Sequence, residues 1–197
     1  LCDWSSDVCS SDLVRHSLSP VMHNAALESM GLNWRYLALP CESESLDQVL
    51  NGLRAVGCQG LNVTIPHKQS IADLCEELSP LAQRLGAVNT LIPGPGGGWF
   101  GTNTDVEGFL APLVANDTWA GRHAVVIGCG GSARAVVAGL QTLNLRTITV
   151  VGRRSEALQA FITDLQQDKA PLTGCFNNAG QLNNAIAQAA LVVNTTP

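Results

Sequence analysis

The sequence predicts an α/β protein of two domains, and three observations predict it. Apolar runs of strand length alternate with stretches of helical spacing along most of the 197 residues. That alternation is the mark of βαβ units, with parallel sheets covered by helices on both faces. A glycine-rich turn at 128–131 follows one apolar run directly and opens a helical stretch. The style of the chain also changes near 105–122, which divides an N-terminal α/β domain (14–105) from a second domain (106–197).

Composition narrows the class further. Hydrophobic residues make up 46% of the chain and charged ones 14%, the composition of a folded, core-rich protein rather than a disordered one. Sixteen acidic against eleven basic residues leave a formal charge of −5, which excludes a bulk-charge grip on nucleic acid or an anionic membrane. No apolar run reaches the roughly 18 residues that a membrane span needs. The seven cysteines, at 2, 9, 41, 58, 75, 129 and 175, form no C-x-x-C pair and read as reduced core thiols of a cytoplasmic protein. The histidines at 16, 23, 67 and 123 lack metal-ligand spacing, so no metal is expected.

Taken in order, residues 1–13 (LCDWSSDVCSSDL) show neither strand alternation nor helical periodicity, and they read as a foreign or disordered segment. Strands are predicted at 34–39 and 60–65, the second closed by Pro66, with a helix at 46–56 between them. Two short helices follow at 71–78 and 81–85, broken at Ser79-Pro80. The turn GPGGG at 94–98 reads as a hairpin connection between AVNTLIP and GWFGTN. Asp105 is expected to cap a helix over 106–115 that joins the domains. Strands at 123–128, 147–152 and 191–195 then alternate with helices at 132–144, 155–167 and 180–190.

The clearest chemistry lies in HAVVIGCGGSARAVVAGL. Gly128, Cys129, Gly130, Gly131, Ser132 and Ala133 fit G-x-G-x-x-G/A between a buried strand and an Ala/Val-rich helix. Gly128 permits the tight turn, Gly130 lets a pyrophosphate approach the backbone, and Ala133 lets the helix sit close to the sheet. The phosphates would then face the helix N-terminus. This is the fingerprint of a Rossmann-type dinucleotide-binding domain, here incomplete at its C-terminal end. An NAD site places Asp or Glu at the tip of the next strand, whereas this chain places Arg153 and Arg154 there. Guanidinium groups suit the extra 2′-phosphate of NADP.

The first half must then carry a substrate. Lys68, one of only two lysines, follows the apolar strand GLNVTIP, where a lysine near a cleft can have its pKa lowered and serve in proton transfer. Polar clusters gather around Ser17 and Ser19, around Asn89, and in the stretch Gly101-Thr102-Asn103-Thr104-Asp105. They suit a small polyhydroxylated ligand.

These blocks together resemble the shikimate dehydrogenase family, from Val14 to Pro197. HSLSPVMHNAAL (16–27), GLNVTIPHK (60–68), GAVNTL (86–91), GTNTDVEGF (101–109), VIGCGGSARA (126–135), VVGRR (150–154) and VVNTTP (192–197) follow the family's order and spacing. The resemblance implies reversible NADPH-dependent reduction of 3-dehydroshikimate to shikimate, on the route to chorismate and the aromatic amino acids. It assigns Ser17 and Ser19 to the substrate carboxylate, and Thr64, Lys68, Asn89 and Asp105 to the ring hydroxyls. Lys68 and Asp105 match the catalytic pair, with Lys68 as general acid/base. Residues 128–133 would hold the pyrophosphate, Arg153 or Arg154 the 2′-phosphate, and Thr196 would touch the cofactor.

Departures from the family are instructive. The family's first strand and Gly-x-Pro turn should precede HSLSP, and the family continues past NTTP, returning with helices that contribute to the substrate site. The chain therefore reads as truncated at both ends, without a central strand of the first domain, and weakly active or inactive. Alternatives are a broader quinate/shikimate dehydrogenase that accepts NAD, a methylenetetrahydrofolate dehydrogenase, or a non-catalytic dinucleotide-binding module. The arginines argue against NAD, HSLSP and NTD against the folate enzyme, and retention of Lys68 and Asp105 against a pure binding module. Oligomeric state stays open, a homodimer included.

Overall fold

The computed structural model describes residues 3–9, 17–115, 118–166, 170–176 and 179–196. The chain divides into two compact units, Leu1–Asn103 and Thr104–Pro197.

In the first unit, strands β1 (Asp3–Cys9), β2 (Trp34–Pro40), β3 (Gly60–Val63), β4 (Glu77–Leu78), β5 (Thr90–Pro93) and β6 (Trp99–Thr102) form one sheet in the order β2-β1-β3-β5-β6-β4. β2, β1 and β3 run parallel. β5 is antiparallel to β3 and to β6. The turn at 94–98 is too short for a crossover, so the strands it joins must reverse direction. Its glycines also crowd the Glu76 side chain, whose Oε2 accepts a hydrogen bond from the Gly98 amide at 2.8 Å.

Helix α1 (Ser19–Ser29) precedes β2, α2 (Leu46–Ala55) links β2 to β3, and α3 (Pro80–Leu85) precedes β5. α2 forms because Leu46, Leu50 and Leu53 recur at helical spacing and bury one face. They pack with Leu61, Val63, Ile71, Val88, Leu91 and Trp99. Each buried leucine contributes about 1.5–3 kcal/mol relative to exposure. The Ser79 hydroxyl caps α3 by accepting from the Ala82 amide at 3.1 Å, and Gly86 ends that helix at φ 57°.

Two expectations fail here. Residues 3–9 do not stay outside the fold: β1 lies between β2 and β3 and supplies the central strand thought missing. Backbone hydrogen bonding on both edges of that slot does not depend on an alternating side-chain pattern. The helix expected over 71–78 is only a 3₁₀ turn at Ala72–Leu74, followed by β4. Sheet pairing overrides its periodicity, because the Glu76 amide donates to Trp99 O and the Ser79 amide to Gly101 O, both at 2.9 Å.

The second unit is a parallel sheet of β7 (His123–Ile127), β8 (Thr147–Gly152), β9 (Leu172–Phe176) and β10 (Leu191–Asn194), in the order β10-β7-β8-β9. Helices α4 (Asp105–Leu110), α5 (Gly131–Leu140), α6 (Ser155–Leu165) and α7 (Ala179–Gln188) accompany it. α5 buries every residue from Ala133 to Leu140, including Arg134. The Arg134 guanidinium bonds Asp164 at 2.6 Å and lies over the Phe161 ring, so its charge is paired as a buried charge must be. Gly139 lets α4 approach α5, since a Cβ there would meet Phe109 and Leu110 at 3.2 Å.

α4 ends at Leu110 rather than 115, where Pro112 has no amide hydrogen to donate. Asp105 is its first helical residue and not its cap; the N-cap is Thr104, without a side-chain cap bond. Strand β9 was not foreseen. Among the described residues, no helix is long and apolar enough to cross a membrane.

Candidate active site

In the first unit, polar residues collect at one end of the sheet's interior strands because the backbone pins them there. β3 ends at Val63 and runs into a turn with a cis Ile65-Pro66 bond, closed by the His67 amide donating to Thr64 O at 3.0 Å. On either side of that turn, the Val63 amide donates to Asn89 O and the Val88 amide to Lys68 O, both at 2.7 Å. The Asn89 amide in turn donates to Thr102 O at 3.1 Å. Thr64, Lys68 and Asn89 therefore share the end of β3 and the start of β5. Lys68 and Asn89 are both buried, at 9% and 8% exposed.

Two buried side chains, His67 and Asn103, hold these strand ends in place. His67, fully buried, contacts Cys41 O through Nε2 at 3.0 Å. A carbonyl can only accept, so Nε2 carries a hydrogen, and Nδ1 lies 3.5 Å from Ser43 Oγ. Asn103 donates from Nδ2 to Ala87 O at 3.1 Å, tying the segment before Asn89 to the end of β6. No periodicity marks either residue, because their partners are distant in sequence.

Ser17 and Ser19 lie at the start of α1, where Ser17 Oγ accepts from the Ser19 amide at 3.2 Å. The neighbouring His16 lies outside the described residues. Asp105, half-buried, opens α4 in the second unit. The thiols of Cys41, Cys58 and Cys75 in the first unit are unsuited to nucleophilic work. Desolvation pushes Cys75 up to about 11 and raises Cys41 and Cys58 as well.

In the second unit, the glycine turn sits at the C-terminal ends of the parallel strands, where ligands bind in open α/β sheets. Gly128 takes φ +111°, and its amide donates to Val151 O at 2.9 Å. A Cβ at Gly128 would overlap Thr195 Oγ1, whose hydroxyl donates to Ile127 O at 2.8 Å. Gly130, the N-cap of α5, differs: a Cβ there would have no atom within 4 Å. Gly130 thus faces open space that a side chain would fill, with Gly131 and Ser132 in the helix's first turn and Ala133 fully buried against the sheet.

Cys129 lies beside Gly152, so this turn is adjacent to the tip of β8, where Arg153 and Arg154 are both exposed. Thr196 is exposed just past β10 and bonds Asn194 Oδ1 through both its amide and its hydroxyl, at 3.1 and 2.7 Å. The glycine turn, the arginine pair and Thr196 accordingly follow the C-terminal ends of β7, β8 and β10. The cradle at Gly130 and the cations at the β8 tip fit a dinucleotide carrying an extra phosphate.

These features define a two-domain α/β protein with a Rossmann-type second domain. The model of the shikimate dehydrogenase substrate binding domain matches residues 10–91. The shikimate dehydrogenase (NADP(+)) of Synechocystis sp. is 48% identical over 185 residues, which cover 93% of this chain and 63% of that protein. The crystal structure of shikimate dehydrogenase from Aquifex aeolicus superposes with a TM-score of 0.85 at 31% identity, covering 99% of this chain and 69% of that one. A further shikimate dehydrogenase structure, in complex with NADP+, gives 0.83 at 31% identity and covers 67% of its chain. The chain belongs to the shikimate dehydrogenase family. It spans about 64% of the length of the curated relatives it matches.

Proposed function

We propose that the protein catalyses the reversible, NADPH-dependent reduction of 3-dehydroshikimate to shikimate. The Leu1–Asn103 unit takes the substrate and the Thr104–Pro197 unit takes NADP. What carries the reading is Lys68 at the strand end, its carbonyl held by the Val88 amide next to Asn89, whose own carbonyl holds the Val63 amide, both at 2.7 Å, in a chain of this family.

Bound NADPH supplies the hydride. The residues must then deliver one proton to the ketone oxygen, and stabilise the charge that develops there as hydride reaches the carbon. Lys68 gives that proton in reduction and takes it back in the reverse direction, and Asp105 is the second member of the catalytic pair. Ser17 and Ser19 bind the substrate carboxylate through their hydroxyls. Thr64 and Asn89 hold the remaining ring hydroxyls. Residues 128–133 carry the pyrophosphate on amides of the first turn of α5, Arg153 or Arg154 binds the 2′-phosphate, and Thr196 borders the cofactor. The protein acts in the cytoplasm.

The test follows NADPH formation by absorbance in the full-length protein, with shikimate or quinate as substrate and NADP or NAD as cofactor, in wild type and Lys68→Ala. Turnover confined to shikimate with NADP, and reduced about a thousandfold or more in the variant, is expected. Equal use of quinate or NAD would move the protein to the broader-specificity branch. Tight NADP binding without turnover of either substrate would reduce it to a dinucleotide-binding module.

A further inference from the structure

We propose that Asn24 and Tyr36 are positioning residues that hold α1, and with it Ser17 and Ser19, in register with the strand ends carrying Thr64, Lys68 and Asn89. This proposal rests on the substrate reading above. α1 fully buries none of its residues, and Val21 and Met22 are 71% and 62% exposed, so apolar burial contributes little to docking the helix. A side-chain amide docks it. Asn24 Nδ2 donates to Tyr36 O at 2.9 Å, and Asn24 Oδ1 accepts from the Tyr36 amide at 2.8 Å. Both ends of one amide thus engage a single residue of β2, which fixes the helix along the strand as well as against it. The His23 ring stacks on the Tyr36 ring at 4.3 Å, reinforcing the same contact from the next helical position.

Tyr36 passes the register on. It is 2% exposed, and its hydroxyl donates to Asn62 Oδ1 at 2.8 Å. Asn62 is on β3, two residues before Thr64, and β1 separates β2 from β3. A polar path therefore runs from the helix that begins at Ser19 to the strand end that leads to Thr64. Sliding α1 by a single residue would shift it by about 1.5 Å, more than a hydrogen bond tolerates. Ser17 and Ser19 could then no longer meet a carboxylate whose ring is held by Thr64 and Asn89.

The experiment measures shikimate and NADP affinity by calorimetry, and amide hydrogen exchange by mass spectrometry, in wild type, Asn24→Ala and Tyr36→Phe. Asn24→Ala is expected to weaken shikimate about tenfold, a loss of the size one or two hydrogen bonds give, and to leave NADP within about twofold. Its α1 amides exchange faster while β3 and β7 keep wild-type rates. Tyr36→Phe keeps the two backbone bonds and the ring stack, so it weakens shikimate by about threefold and leaves α1 exchange unchanged. Wild-type α1 exchange or wild-type shikimate affinity in Asn24→Ala overturns the proposal. So does a parallel loss of NADP affinity, which would mean general unfolding. A wild-type protein that binds NADP but not shikimate overturns the substrate reading, and the exchange measurement still decides whether Asn24 tethers the helix.

Discussion

Gly128 and Gly130, two residues apart in one turn, should respond in opposite ways to the same methyl group. At Gly128 the backbone has φ +111°, where a non-glycine residue costs about 1–3 kcal/mol. The new Cβ would also overlap Thr195 Oγ1 and stand 3.3 Å from Thr196 Cγ2. Moving Thr195 aside breaks its 2.8 Å bond to Ile127 O, a further loss of about 1 kcal/mol. The lower entropy of unfolded alanine returns about half a kcal/mol. Gly128→Ala should therefore destabilise the second unit by about 1.5–3.5 kcal/mol, or lower its urea midpoint by about 1 M at an ordinary denaturant slope. At Gly130, φ is −94° and the methyl meets no atom. Gly130→Ala should keep stability within about 0.5 kcal/mol yet weaken NADP about tenfold or more, because the methyl fills the space the pyrophosphate needs. Urea unfolding and NADP titration of both variants decide the matter. Wild-type stability in Gly128→Ala, or wild-type NADP affinity in Gly130→Ala, would refute the reasoning.

Other predictions concern charge and core. Burial, then the Arg146 charge, holds the His123 pKa below its ordinary 6.5, against a hydrogen bond to the Gln188 backbone. The second unit should thus be at full stability above about pH 6.5 and lose it as pH falls through the lowered folded value. Urea midpoints across that range should fall in wild type and flatten in His123→Gln. Replacing Arg153 and Arg154 singly by Ala should leave NAD affinity within about twofold, and one of the two should weaken NADP about tenfold or more. Equal effects on both nucleotides in titrations would oppose the 2′-phosphate assignment. Trp99 donates from Nε1 to Leu50 O at 3.2 Å in the core of the first unit. Trp99→Phe should therefore cost about 1–3 kcal/mol in chemical denaturation.

What could be read in advance depended on how local the cause was. Helix α2 and strand β7 announce themselves through three spaced leucines and an unbroken apolar run. The glycine turn was visible because its requirements, a positive φ and open space, act on one or two residues. β4 and β9 were not visible, since Glu77-Leu78 and a segment containing Gly174 become strands only when a sheet edge pairs with them. β1 belongs with these, as its place is set by β2 and β3 on either side. In the same way, Lys68, Asn89 and Ser17 stood out by motif. The residues that hold this region together, His67, Asn103, Asn24 and Tyr36, act through partners elsewhere in the chain and gave no periodic signal.

The most direct single measurement traces the hydride itself. Shikimate carrying deuterium on the carbon of the hydroxyl to be oxidised is incubated with the full-length protein and NADP, and the nucleotide is examined by mass spectrometry. Deuterated NADPH, formed together with 3-dehydroshikimate and lost in Lys68→Ala, is the predicted result. Oxidation without transfer of the label, or bound NADP that stays unreduced in the folded protein, would contradict the assignment of these two units to the two halves of one dehydrogenase reaction.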